Sequence, residues 1–365
     1  MKFYNIVLNI LKIKIYFFKP KKRKILLYDS HSKPYANILF NNQVFSIYDT
    51  RYESINIYVL LFTVFKTGIK ELKHNYKLNY FNFVEPKIIY TIIDNNIGFF
   101  KLKNIYPKAF YIADQKAVRD NTFFKICNDY LKRFPTQKLY VDIFFCFGSN
   151  EMKRLKKIIK GKIIPLGNTL NNDITLRNGK SKIKKIIFIS SGHSTTTFLS
   201  RDIKIFLNLN KFCQKNNLKL IFLEKGNRER YSFLKNKIGF TFNYLESGDN
   251  KFKSSFLKKD TLFVFVISTF GYEILSMGLK CVSLNHTQFD HGFKKYSKKG
   301  PFWINAPSFN YNYFVISNII NKVINYNESS WKKIYKYYSK EILVFDKKNK
   351  MKKDCLIANI KKYEK

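Results

Sequence analysis

Ser268-Thr269-Phe270-Gly271 stands between an apolar run at 262–267 and a stretch with apolar residues at helical spacing, Tyr272, Ile274, Leu275 and Met277. A run that short and uniformly apolar fits a strand covered on both faces. Two hydroxyls and a glycine in the turn that follows suit the holding of an anion. A helix beginning near Thr269 aims its free backbone N–H groups and positive dipole end at whatever sits above the sheet. Ser268 and Thr269 add hydroxyls, and Gly271 lets a ligand approach the backbone. Glu273, on the first helical turn, is placed to accept hydrogen bonds from a ribose. Such a turn can hold a diphosphate. The same residues equally suit a plain helix cap, with Glu273 completing a capping box.

Gly278 stops this helix and a second strand is expected at 280–284, so residues 260–284 form a βαβ unit. The chain on either side keeps the same rhythm. Short apolar strands are expected at 24–28, 43–48, 87–93, 110–113, 141–147 and 162–166, then at 185–189, 218–223 and 240–244. Helical spacing falls at 99–105, 201–216, 313–326 and 331–345, and 54–67 is expected as a core helix. Polar residues keep falling just after the strands, among them Asp29, His31, Asp94 and the Gly192-His193 pair. That is the edge at which open α/β sheets bind ligands.

The alternation predicts an α/β protein with two Rossmann-like, doubly wound domains facing across a cleft. The expected division is a basic amphipathic segment at 1–23, a first domain at 24–170 and a polar linker at 171–183. A second domain then spans 184–335, with a helical extension at 336–365.

The 365 residues carry 67 Lys+Arg against 25 Asp+Glu, a net charge of +42, with 37 Phe and 25 Tyr. So basic a chain attracts anions. The lysines are scattered and arginine is scarce, whereas nucleic-acid sites gather arginine and aromatics on one face. Abundant Lys, Asn, Ile, Phe and Tyr together also match an AT-rich coding sequence. No specific nucleic acid is therefore expected. The five cysteines, Cys127, Cys146, Cys213, Cys281 and Cys355, form no CxxC pair, which fits a reducing compartment. The five histidines show no metal-ligand spacing, so neither metal nor cofactor is expected. No apolar stretch reaches the roughly 18–20 residues of a membrane span. Residues 1–18 are apolar but broken by Lys2, Lys12 and Lys14, and the basic Lys19-Pro20-Lys21-Lys22-Arg23-Lys24 follows. The segment suits an anionic membrane surface or packing as a helix on the domain, and the chain is expected to be cytoplasmic and peripheral to the inner membrane.

Four segments resemble one bacterial family, the surface carbohydrate biosynthesis proteins. They are TIIDNNIGFFKL at 91–102, GKIIPLGNTLNN at 161–172, STFGYEILSMGLK at 268–280 and GPFWIN at 300–305. The family is similar to GT-B glycosyltransferases and to polymerases that transfer glycerol phosphate from a CDP carrier. The resemblance implies a donor site in the second domain, with Ser268, Thr269, Phe270, Gly271 and Glu273 on its phosphates and ribose. It also implies a cation against the diphosphate after a neighbouring strand, where Lys225 and Arg228 stand, because the leaving group's developing charge must be neutralised. Gly192 and His193, at the first strand-to-helix turn of that domain, are placed to touch the donor phosphate.

On the acceptor side the family shows Gln-Asn-Gly followed by an aromatic and Arg. This chain has Gln115-Lys116-Ala117-Val118-Arg119, so Gln115 and Arg119 survive while Asn and Gly are replaced. An acceptor hydroxyl needs a proton acceptor within reach, and Asp29, His31 and Asp94 are the candidate bases. The expected activity is transfer of a sugar or polyol phosphate from a nucleotide-linked donor to a glycan or lipid-linked acceptor. Two alternatives stay open. One is a UDP-sugar epimerase-like enzyme of the same fold, for which strand-end carboxylates look scarce. The other is a non-catalytic basic protein on a membrane or nucleic acid.

Overall fold

In the computed structural model the described residues are 13–50, 54–176, 182–191, 196–224, 228–246, 254–287, 293, 296–305 and 311–361. Fourteen strands occur among them: β1 Lys14–Tyr16, β2 Ile25–Tyr28, β3 Phe45–Tyr48, β4 Ser54–Asn56, β5 Ile88–Thr91, β6 Phe110–Asp114, β7 Leu139–Cys146, β8 Ile159–Pro165, β9 Lys185–Ile189, β10 Lys219–Glu224, β11 Asn243–Glu246, β12 Thr261–Phe265, β13 Cys281–Asn285 and β14 Trp303–Asn305. Alternate residues of β2 enter different cores. Leu26 and Tyr28 pack with Phe81, Phe99 and Phe144, while Ile25 and Leu27 pack with Tyr35, Phe40 and Phe145. A strand buried on both faces must be apolar throughout, which is why these runs read as continuous rather than alternating.

Two six-stranded parallel sheets result. The first has the order β3-β2-β5-β6-β7-β8 and the second β11-β10-β9-β12-β13-β14. In each, the chain winds outward from one strand in one direction and then in the other. The strand order therefore reverses between β2 and β5 in the first sheet, and between β9 and β12 in the second. A crevice opens beyond the strand ends at such a reversal because the two flanking connections leave to opposite faces.

Asn caps fix several helix starts. Asn312 accepts from the Val315 N–H at 3.0 Å and Asn327 from the Ser330 N–H at 2.8 Å. These begin the helices Tyr313–Asn325 and Glu328–Ile342. The C-terminal helix Asn349–Lys361 returns to the first sheet, where Ile357 joins the core of Ile25, Leu27 and Tyr90.

Several sequence expectations change. The 54–67 stretch is not a core helix. It is β4, paired with β1, followed by the helix Ile57–Thr67, which leaves Tyr58, Leu61, Phe62 and Phe65 exposed. The 300–305 motif contains a strand, β14, at the sheet edge. A 3-10 turn, Thr169–Asp173, runs across the expected start of the linker at 171, with Asn168, Thr169 and Asn171 buried. Asn168 and Thr169 there bond to Glu273 and Lys353 rather than to water. No helix among the described residues is long and apolar enough to cross a membrane.

Candidate functional site

The helix Thr269–Ser276 leaves β12 at the reversal point of the second sheet, and its first turn faces the first sheet's loops. Thr269 Oγ1 accepts a hydrogen bond from the Val118 N–H at 3.3 Å. One turn on, Glu273 Oε1 accepts from Asn168 Nδ2 at 2.6 Å. Val118 follows β6 and Asn168 follows β8, so carboxyl ends of the first sheet meet the carboxyl end of β12. The helix start thus opens on the junction of the two sheets.

Ser268 occupies the cap position of this helix with extended backbone, φ −153° and ψ 128°, yet its side chain makes no cap bond. Its Oγ is buried and has no hydrogen-bond partner among the described residues. An orphaned buried hydroxyl costs about 1–3 kcal/mol unless something supplies its partner. The plain helix-cap reading is thereby set aside for Ser268. Gly271 has another reason to be glycine than the one expected. A Cβ there would run into the Phe265 ring, so the residue allows close helix–strand packing. Phe270 is half-buried and meets Phe256 edge-on at 6.1 Å.

Around the same reversal point lies a chain of polar contacts. Ser190 Oγ donates to Glu224 Oε2 at 2.7 Å, joining the ends of β9 and β10. Ser191 donates from both N–H and Oγ to Asp202 Oδ2, each at 2.8 Å. Asp202 Oδ1 lies 2.6 Å from His286 Nε2, and both residues are almost wholly buried. His286 follows β13, and its Nδ1 has no hydrogen-bond partner among the described residues. The Phe198 ring lies nearly parallel to the imidazole at 6.0 Å. Asp202 therefore holds one ring nitrogen and Phe198 the ring plane, leaving a fixed imidazole with one nitrogen to offer.

The expected residues Gly192, His193 and Lys225 lie outside the described residues. Arg228 begins the helix Arg228–Ile238 after β10, on the expected element.

In the first sheet the reversal point falls between Asp29 and the 92–94 loop. Asp29 is buried with φ 108°, a backbone state that costs a non-glycine residue about 1–3 kcal/mol and clusters at functional sites. Its carboxylate accepts from the His31 N–H and from Thr50 Oγ1, both at 2.9 Å. The His31 side chain is exposed. Asp94 is engaged by Arg119 in a two-pronged pair, with Nε at 2.7 Å from Oδ2 and Nη2 on Oδ1, and by the Lys116 N–H at 3.2 Å. Gln115 bridges the Phe147 N–H at 2.7 Å and the Ala117 carbonyl at 2.8 Å. Gln115, Arg119 and Asp94 thus shape the loop that reaches Thr269. Arg119 occupies both oxygens of the Asp94 carboxylate, which leaves it poorly placed to meet an acceptor hydroxyl.

Sequence reasoning missed a buried cation. Lys353, on the C-terminal helix, places Nζ 2.8 Å from each oxygen of Asp114 and against Thr169 Oγ1. Tyr90 OH donates to the same carboxylate at 3.3 Å. Burial raises the Asp114 pKa above the usual carboxylate range, and Lys353 pulls it back down. Tyr35 was missed too. Burial raises its pKa, and the Asp114, Glu273 and Asp94 carboxylates add to this, which keeps the hydroxyl protonated beside all three. Asn168 and His286 carried a faint signal, since each closely follows an expected strand. Among sixty-odd cations, Lys353 carried none. Strand-end carboxylates are also less scarce than the sequence suggested. Asp29, Asp94, Asp114 and Glu224 are all buried at strand ends, each with a partner.

Among the described residues no group of three or more His, Cys, Asp or Glu side chains is placed to hold a metal ion.

Residues 118–363 match a protein family described as "putative O-antigen biosynthesis protein". No curated protein matches the chain by sequence. Among solved structures, a Listeria monocytogenes protein described as a "putative UDP-N-acetylglucosamine 2-epimerase" is similar with a TM-score of 0.58 and 13% identity, over 94% of this chain and 97% of that one. The Neisseria meningitidis UDP-GlcNAc 2-epimerase bound to UDP-GlcNAc gives 0.51 and 11%, over 93% and 99%. A substituted wall teichoic acid polymerase TagF soaked with CDPG gives 0.50 and 9%, over 96% and 89%. At such identities the likeness is one of fold, the two-domain GT-B arrangement.

Proposed function

The chain belongs to this O-antigen biosynthesis family, and from that premise we propose that it is a transferase moving a sugar or polyol phosphate from a nucleotide-linked donor to a glycan acceptor. The observation that carries the reading is the buried Ser268 hydroxyl, unpartnered among the described residues, at a helix start that faces the loops of the first sheet. A diphosphate placed there receives the backbone N–H groups of the first helical turn, the Ser268 hydroxyl and the positive end of the dipole. As the donor bond breaks, charge grows on the leaving group, a nucleoside diphosphate when a sugar is transferred and a nucleoside monophosphate when a polyol phosphate is. Fixed donors aimed at that charge lower the barrier without reorganising. His286, oriented by Asp202, stands at the neighbouring strand end as a further donor or acceptor, and Lys225 and Arg228 are the cations we propose for the diphosphate.

The acceptor enters from the first sheet's reversal point. His31 serves best as its base, because the carboxylates of Asp29 and Asp94 are engaged by fixed partners. Glu273 reaches a donor ribose only if it shares or releases its bond to Asn168, which ties donor binding to the approach of the two sheets. The UDP-GlcNAc and CDPG carried by two structures of similar fold support a nucleotide-linked donor.

Isothermal calorimetry and thermal shift against UDP, CDP and their sugar and glycerol adducts test this reading. It expects saturable binding of at least one nucleoside diphosphate, and absence of binding to all of them overturns it. The four buried strand-end carboxylates favour a second reading, a UDP-sugar epimerase. Conversion of a UDP-sugar to its epimer without any acceptor would decide for that reading.

A further inference from the structure

The helix Ile57–Thr67 buries only Val59 and Thr63 and turns most of its large apolar side chains outward. Its inward face carries Thr63, whose Oγ1 donates to the Val59 carbonyl at 2.7 Å and accepts from Asn79 Nδ2 at 3.0 Å, all buried. Its outward face carries Tyr58, Leu61, Phe62 and Phe65, at the spacing of one helical stripe, and Phe65 is 88% exposed. Ile69, just beyond the helix, is 78% exposed. The stripe continues onto β1 and the residues after it, Ile15 to Phe18, all exposed, with Phe18 at 86%. The two parts are locked together. Asn56 Oδ1 caps the helix at the Val59 N–H, 3.0 Å, while its Nδ2 donates to the Phe18 carbonyl at 2.9 Å. Tyr58 and Phe62 lean on the Phe83 ring at 5.5 and 4.9 Å, while Leu61, Phe65 and Ile69 stand out from the surface as a contiguous apolar face, of the kind that marks a site of interaction.

The charge around the face says which partner. A cavity of 720 Å³ beside it is lined by Lys14, Lys19, Lys21 and Arg23 together with Tyr16 and Phe18. Lys66 and Lys70 are exposed at the far end of the helix. Nearby acids are few: Asp49 lines the cavity, Glu71 is exposed, and Glu85 is paired with Lys22 at 2.7 Å. Aromatic and aliphatic side chains ringed by lysines fit the boundary between acyl chains and anionic head groups.

We propose that this face, the outward stripe of the Ile57–Thr67 helix with Ile15 to Phe18, docks the protein on an anionic phospholipid bilayer, the basic cavity receiving a head group. The cavity also touches Ser30 and Asp49, which follow β2 and β3. Docking therefore sets the first sheet's strand ends beside the bilayer surface. The face stands whether or not the chain is a transferase.

Co-sedimentation of the full chain with phosphatidylglycerol-containing vesicles and with pure phosphatidylcholine vesicles tests the proposal, with size-exclusion chromatography alongside. The wild type is expected to bind the anionic vesicles more tightly. Leu61→Ser with Phe65→Ser, which leaves net charge and the buried face untouched, is expected to weaken that binding at least about tenfold at unchanged Tm. Equal binding by the double variant would mean that net charge alone does the work, and would overturn the docking face. So would failure of the wild type to bind, or a wild-type dimer that the double variant turns into a monomer, since a second copy would then cover the stripe.

Discussion

Replacing Ser268 by alanine separates a ligand-binding hydroxyl from a structural one, because the two roles predict changes of opposite sign. In the free protein the hydroxyl is buried without a partner among the described residues. Removing it relieves a desolvation cost of about 1–3 kcal/mol, less whatever packing the oxygen supplied. A net gain of about 1 kcal/mol corresponds to a Tm rise of roughly 2–4 °C for a domain of this size class. In the complex the same hydroxyl would donate to a charged phosphate oxygen, a bond worth about 1.5–3 kcal/mol. Its loss raises Kd roughly 10- to 150-fold. Scanning calorimetry reads the first effect, and titration with the nucleoside diphosphate that binds best reads the second. A variant with lowered Tm and unchanged Kd would refute the reasoning, since the hydroxyl would then have served the fold and not a ligand.

Lys353→Met strands the buried Asp114 carboxylate and should cost about 3–5 kcal/mol by denaturant titration, with Asp114→Asn added to it restoring part of the loss. Burial already raises the Asp114 pKa and Lys353 opposes that, so the variant's folded pKa climbs further. A carboxyl whose folded pKa is raised lends stability while protonated and loses it as pH rises through that pKa. The deficit should therefore be larger near pH 8 than near pH 5, and a deficit independent of pH would contradict this. Gly271→Ala should destabilise by about 1–3 kcal/mol through collision with Phe265, and leave the nucleotide affinity of the folded fraction unchanged; weakened binding alone would return Gly271 to the ligand.

The sequence by itself determined the alternation of strands and helices and the place of the polar turns. Apolar runs such as ILLY at β2 and TLFVF at β12 are legible because a strand covered on both faces has no polar positions to blur it. The turns at Asp29, Asp94 and Ser268 are legible because they interrupt those runs. Which turns face one another was decided only by the tertiary structure, because that depends on strand order. The reversals between β2 and β5 and between β9 and β12 select Asp29, the 92–94 loop, Ser190 and Ser268 from a dozen similar strand ends. Partners distant in the chain were equally hidden: Thr269 with Val118, Glu273 with Asn168, Lys353 with Asp114, His286 with Asp202. Such pairings rest on geometry across the fold, and a residue's type and neighbours do not encode them. The Ile57–Thr67 helix shows the limit from the other side. Its apolar residues mark a buried face in the sequence, whereas the structure buries Val59 and Thr63 and leaves Tyr58, Leu61, Phe62 and Phe65 outside.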